Sequence, residues 1–277
     1  MLWTQAVEPR PLAGRRLVCF PHAGGSPYLF RGWGGVLDAV EVRAVCYPGR
    51  AERFGEPCAS ELTAMAREIA GELLSADDAC PVALFGHSMG ATVAYEVARA
   101  VEGAGHAVDH LFVSGARAPR WHVADAAAAA AWDDAAIIAT LTELGGTDPE
   151  LLDNPAFVDL VLPYIGADFR MLAAYGSDPA ADPLECPVTA LVGAGDPRVT
   201  AEESADWREV TRGPFRHLTL PGGHFYLEDA PPYGIVGRAL DVPRGAGSPR
   251  ARASSFRGRG PGRVVPVHLR QPEGQVE

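Results

Sequence analysis

Residues 81–101, Pro-Val-Ala-Leu-Phe-Gly-His-Ser-Met-Gly-Ala-Thr-Val-Ala-Tyr-Glu-Val-Ala-Arg-Ala-Val, read as a strand, a sharp turn carrying a serine, and a helix. Val82 to Phe85 make the short unbroken apolar run that a parallel strand buried on both faces requires. Beyond the serine, Val93, Val97 and Val101 recur every four residues with Ala94 and Ala98 beside them, giving one apolar helical face that Gly103 and Gly105 terminate. The turn itself, Gly86-His87-Ser88-Met89-Gly90, matches the G-x-S-x-G nucleophile elbow. A serine on so tight a turn holds a strained backbone, and a side chain at Gly86 or Gly90 would collide with the adjoining strand or helix. The pattern lifts Ser88 to the carboxyl end of a strand and aims the Met89 amide, at the start of the helix, where an oxyanion would form.

The rest of the chain is consistent with a repeated strand-helix rhythm around this unit. Residues 1–16 read as a surface leader in which Pro9 and Pro11 discourage helix. Leu17 to Phe20 is a strand running into Pro21-His22-Ala23-Gly24-Gly25-Ser26, a loop whose small residues let backbone approach a substrate carbonyl; the Ala23 amide is the candidate second oxyanion donor, and His22 reads as structural. Val42 to Tyr47 is a second strand, ending at Pro48-Gly49 before a loop with Arg50 and Arg53, which either meet an anion or are simply solvated. Leu62, Met65, Ile69 and Leu73 fall at helical spacing, and Val108 to Ser114 is the strand after the elbow helix. Strand-helix-strand repetition implies right-handed crossovers and a mostly parallel sheet flanked by helices.

From 121 to 185 that rhythm breaks. An alanine run at 126–131 and three stretches of helical spacing precede the next strand at Val188–Val192, so the segment reads as a helical lid inserted over the carboxyl end of the sheet. Its Phe157, Tyr164, Phe169, Met171 and Tyr175 either line an acyl-accepting cleft or pack the lid against the body. Past the lid, Val188–Val192 leads to Gly193-Ala194-Gly195-Asp196-Pro197, and the strand Arg216–Leu220 leads to Pro221-Gly222-Gly223-His224-Phe225. Ser88, Asp196 and His224 thus occur in the chain order of the α/β-hydrolase fold, each at a strand end on one side of the sheet. Asp125, eleven residues past its strand, is the weaker rival for the acid. His110 and His217 lie inside strands, His87 turns away beside the serine, and His106, His122 and His268 lack a flanking strand end.

Composition narrows the function classes. The 277 residues contain no lysine; residues 1–240 hold 17 arginines against 32 acidic residues, while 241–277 hold 7 against 3. So acidic a body excludes nucleic acid as the expected partner. No apolar run approaches the ~20 residues of a membrane span and no signal peptide stands at the N-terminus, so the expected location is the cytoplasm. Cys19, Cys46, Cys58, Cys80 and Cys186 are odd in number and widely spaced, which argues against disulfides or a zinc site; Cys19 and Cys46 read as small core residues. Residues 1–240 are expected to form one hydrolase domain, and 241–277, rich in Gly, Pro and Arg without periodicity, a disordered tail. No coiled-coil pattern occurs, and a monomer is expected.

Three motifs taken together, Phe20-Pro21-His22-Ala23-Gly24-Gly25, Gly86-His87-Ser88-Met89-Gly90 and Pro221-Gly222-Gly223-His224-Phe225, with Tyr47-Pro48-Gly49-Arg50 and Gly195-Asp196-Pro197 between them, resemble the type II thioesterases of polyketide and nonribosomal peptide synthesis. The resemblance covers about residues 15–240 and leaves the tail outside. It implies a free-standing enzyme that clears stalled acyl groups from the phosphopantetheine thiol of acyl or peptidyl carrier proteins, with no metal or organic cofactor. Ser88 would be the nucleophile, His224 the general base, Asp196 its orienting acid, and the Met89 and Ala23 amides the oxyanion hole. Such carriers are usually acidic, so docking on an acidic body would depend either on a local arginine patch, from Arg117, Arg120 or Arg170 near the lid, or on apolar contacts. The competing readings are a small-ester hydrolase or acyltransferase of the same fold, and a non-catalytic carrier-binding accessory.

Overall fold

A computed structural model describes residues 2–75, 80–145 and 148–240. Its strands are β1 (Thr4–Ala6), β2 (Arg16–Phe20), β3 (Glu41–Val45), β4 (Val82–His87), β5 (His110–Ser114), β6 (Val188–Gly193) and β7 (Phe215–Leu220). They form a sheet in the order β1-β3-β2-β4-β5-β6-β7, parallel throughout except for β1, which runs antiparallel to β3. Helices α1 (Leu62–Ser75) and α2 (Met89–Gly103) precede and follow β4. Four helices, α3 (Ala126–Ala130), α4 (Asp134–Leu144), α5 (Pro149–Leu152) and α6 (Pro155–Ala174), intervene between β5 and β6; α7 (Ala201–Ala205), α8 (Tyr226–Asp229) and α9 (Tyr233–Ala239) close the described chain. This mostly parallel sheet between helices is the α/β-hydrolase architecture expected from the sequence.

The central strands are apolar on both faces because both faces are covered. Val18, Phe20, Leu84, Leu111 and Val113 point to one side, where α1 and α2 supply Met65, Ile69, Val93 and Val97. Leu17, Cys19, Ala83, Phe85 and Phe112 point to the other, against Phe30, Trp33, Val236 and Leu240. Period-two alternation therefore splits each strand between two separate cores. The insertion has its own small core of Ile137, Leu141, Val161, Leu162 and Ile165.

Three expectations need correction. The leader contains an edge strand: the Glu72 carboxylate of α1 accepts from the Thr4 amide at 2.9 Å and the Thr4 hydroxyl at 2.6 Å, tying β1 to the body. Residues 155–174 form one helix through Pro163, where the sequence pattern reads two separate helical stretches, Leu151–Tyr164 and Phe169–Tyr175. Arg50 and Arg53 are buried; Arg53 lies over the Trp3 ring, 4.1 Å from its centroid, and donates to the Cys46 carbonyl at 3.1 Å. The tail expected at 241–277 lies outside the described residues. Among the described residues no helix is long and apolar enough to cross a membrane.

His110, inside β5, carries a measurable consequence. Its ring stacks on Phe112 and its Nε2 bonds the Thr189 hydroxyl at 2.9 Å. Burial lowers its pKa from the usual 6.5 to about 4. As pH falls, the unfolded chain takes up this proton before the folded one does, so the stabilisation is complete above about pH 6.5 and drains away towards pH 4. Urea unfolding at pH 7.5 and pH 5 is expected to show about 2 kcal/mol of this loss from His110, and His110→Phe to flatten the slope by that amount. An unchanged slope in the variant would assign the acid sensitivity elsewhere.

Candidate active site

The elbow forms as its glycines require. Ser88 sits at φ 55° and ψ −123°, a backbone strained for any residue with a Cβ. Its N–H donates to the Ser114 carbonyl of β5 at 2.8 Å, and its carbonyl accepts from Ala91 at 2.9 Å as α2 begins. A Cβ at Gly86 would stand 2.1 Å from the Gly90 carbonyl oxygen, and one at Gly90 would stand 2.1 Å from that of Phe20. Strand, turn and helix can approach this closely only with hydrogen at both positions.

Because β2, β4, β5, β6 and β7 are parallel, their carboxyl ends share one side of the sheet. Loops from four of them meet there. His224, four residues past β7, places Nε2 3.0 Å from the Ser88 Oγ and Nδ1 2.8 Å from the Asp196 Oδ2. The other Asp196 oxygen accepts from the Arg198 amide at 2.9 Å, so both oxygens are committed and the carboxylate cannot swing. The side chains of His224 and Asp196 are 4% and 0% exposed, which keeps the pair in a medium where hydrogen bonds and charge count for more than in water. Asp125, the rival acid, instead caps α3 by accepting from the Ala127 and Ala128 amides.

Two backbone donors border the serine. Met89 opens α2, and first-turn amides have no intrahelical acceptor. In the loop after β2, the Gly25 amide is used on the His22 carbonyl at 2.9 Å and the Gly24 amide on the Asp168 Oδ2 at 2.8 Å. Among the described residues the Ala23 amide has no protein acceptor, so it remains available beside Ser88.

Around these groups lies a cavity of about 450 Å³. Ser88, His224, Ala23 and Met89 floor it, while Trp132, Leu141, Phe157, Val161, Ile165 and Phe169 from the insertion give it apolar walls. The aromatic stripe divides between both expected roles. Phe157, Tyr164 and Phe169 line the cavity, whereas Met171 and Tyr175 are buried against the body, the Tyr175 hydroxyl donating to Glu96 at 2.6 Å.

Other histidines crowd the Ser88, His224 and Asp196 cluster without joining its hydrogen bonds. His87 is fully buried, its Nδ1 bonded to the Ser114 hydroxyl at 2.9 Å and its ring 5.1 Å from that of His224. Burial, with the nearby His224 and His22, holds its pKa well below the usual value. Burial, His224 and Arg50 similarly lower His22 to about 3. Both rings are neutral at neutral pH, so they supply apolar bulk and add no competing positive charge.

A family model for the thioesterase domain matches residues 15–237. The chain belongs to the thioesterase family. It is 40% identical over 231 residues to thioesterase PikA5 of Streptomyces venezuelae, spanning 82% of this chain and 81% of the relative. Among solved structures it is similar to the type II thioesterase BorB of the borrelidin cluster, with TM-score 0.76 and 37% identity over 86% of this chain and 97% of the other. The RedJ thioesterase of the prodiginine pathway in Streptomyces coelicolor superposes with TM-score 0.75 and 39% identity over 83% and 87% of the two chains. The resemblance to type II thioesterases of polyketide and nonribosomal peptide synthesis is thus borne out, and the protein is a hydrolase of thioesters.

Of the arginines expected for docking on the thioesterase, two are paired with acids and the third meets a backbone carbonyl. Arg117 pairs with Glu203 at 3.1 Å, Arg120 with Glu209 at 2.6 Å and Asp206 at 3.3 Å, and Arg170 donates to the Trp132 carbonyl at 2.9 Å. Sequence reasoning overlooked Asp168, a buried acid on α6 that receives Arg50. A signal was present, since Val161, Ile165 and Asp168 share one helical face and an acid on an apolar stripe requires a partner.

Proposed function

We propose that this thioesterase removes acyl groups from the phosphopantetheine thiol of acyl or peptidyl carrier proteins through a Ser-His-Asp relay and a covalent acyl-enzyme. Ser88 Oγ attacks the thioester carbonyl while His224 Nε2 takes its proton. Asp196 Oδ2 accepts the Nδ1 hydrogen, fixing the tautomer that leaves Nε2 free to act as base and then stabilising the imidazolium. The Met89 and Ala23 amides donate to the oxyanion, at about 3 kcal/mol per donor where such contributions have been measured in other enzymes. Collapse breaks the carbon-sulfur bond and His224 returns the proton to the departing thiol. A water deprotonated by His224 then attacks the Ser88 ester, releasing a carboxylic acid and restoring the serine.

The observation that carries this reading is the unbroken line of hydrogen bonds from Ser88 through His224 to Asp196, opening on an apolar cavity wide enough for an acyl chain. The mechanism calls for no metal or organic cofactor, because the reactive thiol arrives on the carrier. The insertion, which walls the cavity, would act as the lid that excludes bulk water from the acyl-enzyme.

The test is intact-protein mass spectrometry of acetyl-, propionyl- and longer acyl-loaded carrier proteins incubated with the enzyme. Loss of the acyl mass to leave the free pantetheine thiol, faster than cleavage of the matching small thioester, is the expected outcome. Intact acyl-carrier alongside rapid turnover of small esters would reassign the substrate to a generic ester. Appearance of acyl mass on an added alcohol or amine would make it a transferase.

A further inference from the structure

The most heavily bonded carboxylate beside the proposed oxyanion hole belongs to none of the triad residues. Asp168, on α6, receives the Arg50 guanidinium bidentately, with Nη2 2.7 Å from Oδ1 and Nη1 2.5 Å from Oδ2. The same Oδ2 accepts the Gly24 amide at 2.8 Å. Both charged side chains are almost completely buried, at 3% and 4% exposure. The guanidinium lies between two tyrosine rings, 4.9 Å from the centroid of Tyr164 on α6 and 5.3 Å from that of Tyr47 after β3. Tyr47 in turn donates its hydroxyl to the Pro21 carbonyl at 3.1 Å. The loop carrying Ala23 is therefore held at both ends, at Pro21 by Tyr47 and at Gly24 by Asp168.

We infer that Arg50 and Asp168 are positioning residues that set the direction of the Ala23 amide and make it depend on the seating of α6. The inference rests on the proposed serine mechanism with its two backbone donors. Drawing the Gly24 amide towards Asp168 fixes the peptide plane next to Ala23, a residue that lines the cavity and whose own amide has no acceptor among the described residues. The helix that supplies Asp168 also supplies Ile165, whose Cγ1 would be 2.8 Å from a Cβ on Gly24, so helix and loop are in direct contact. Tyr164, Ile165 and Phe169 of that helix line the acyl cavity. An acyl chain that displaced α6 would thereby disturb the oxyanion donor, whereas one that fits would leave it aligned. Chain-length preference would then appear in the rate of the chemical step as well as in binding.

A purely structural ion pair and a positioning pair respond differently to replacement by apolar groups. Two well-packed apolar side chains of similar volume commonly preserve the stability of a buried pair, but they offer the Gly24 amide no acceptor. The full-length double variant Arg50→Met with Asp168→Leu is therefore expected to fold, with a melting temperature near that of the parent. On propionyl-N-acetylcysteamine its kcat should fall about 100-fold, the scale of a misplaced oxyanion donor, with KM within about threefold of the parent. Affinity for an alkyl boronic acid, which becomes tetrahedral on Ser88, should weaken in parallel with kcat. Asp168→Asn keeps an acceptor for Gly24 and is expected to retain at least ten times the kcat of the double variant.

A double variant with parental kcat and boronate affinity would overturn the inference. If the double variant did not fold, Asp168→Asn would decide against Asp168→Ala: equal kcat in the two would overturn the inference, and higher kcat in the asparagine variant would support it. Ser88→Ala run in parallel separates the two levels. Residual turnover there near the parental rate would remove the serine mechanism and this inference with it, whereas an inactive Ser88→Ala beside a fully active double variant would remove the inference alone.

Discussion

Ser88→Ala is expected to lower hydrolysis of acyl-carrier thioesters by about 10⁴-fold or more while leaving the protein folded. The serine hydroxyl lies 3.0 Å from the His224 nitrogen not engaged by Asp196, and among the described residues no other hydroxyl is hydrogen-bonded to that ring. Losses of this size follow removal of a nucleophile in other triad enzymes, and the remainder reflects binding and oxyanion donors acting on water. Folding should be spared because the strained φ of 55° is imposed by the turn and costs alanine no more than serine. The measurement is single-turnover release of acyl mass from a carrier, with the melting temperature as control. Trapping of an acyl-enzyme 18 Da lighter than the sum of enzyme and free acid, in the parent and never in the variant, would establish the covalent step. A variant retaining about a tenth of parental turnover would mean that His224 activates water directly.

The largest effect on stability is expected at Gly86. A methyl group there would lie 2.1 Å from the Gly90 oxygen and 2.5 Å from the Ala91 Cα, both backbone atoms of the elbow that cannot rotate away. Gly86→Ala must therefore push α2 from β4, disrupting the contact on which one whole side of the core is built. The cost is expected to exceed ~4 kcal/mol, placing it among the severe point substitutions, with a fall in melting temperature on the order of 10 °C. Gly71→Ala is the matched control: it lies in α1 with nothing within 4 Å of the added carbon, and should be stabilising by up to ~1 kcal/mol because alanine is the better helix former. Calorimetry of the two variants tests the close approach directly. Equal melting temperatures would show that the elbow can relax.

Several elements were legible from local pattern because their environment imposes that pattern. Strands β2, β4, β5 and β6 are covered on both faces, which demands continuous apolar runs, and the elbow demands glycine at fixed offsets from the serine. Elements held by distant partners were not legible in this way. Thr4-Gln5-Ala6 has no apolar run, and becomes a strand by pairing antiparallel with β3 about forty residues on, with Glu72 of α1 fastening the Thr4 backbone and hydroxyl. The helix Pro155–Ala174 continues through Pro163 because its flanks are fastened by packing within the insertion, a tertiary compensation that overrides proline's local preference. Arginines in a loop ordinarily face water, and Arg50 is buried only because Asp168 lies 118 residues away to receive it.

The sequence by itself determined the six parallel strands of the sheet, the elbow, and the order in which serine, aspartate and histidine arrive at strand ends. These follow from short-range sterics and from the burial each strand must undergo, both written in neighbouring residues. Only the tertiary structure decided that His224 bonds both Ser88 and Asp196, which of the insertion's aromatic residues face the cavity, and that Arg117 and Arg120 are committed to acids. It also decided that the loop beside the serine is anchored to α6 by a buried charge pair. Each of these is a match between groups far apart in the chain, fixed by distances of a few ångströms that no local pattern encodes.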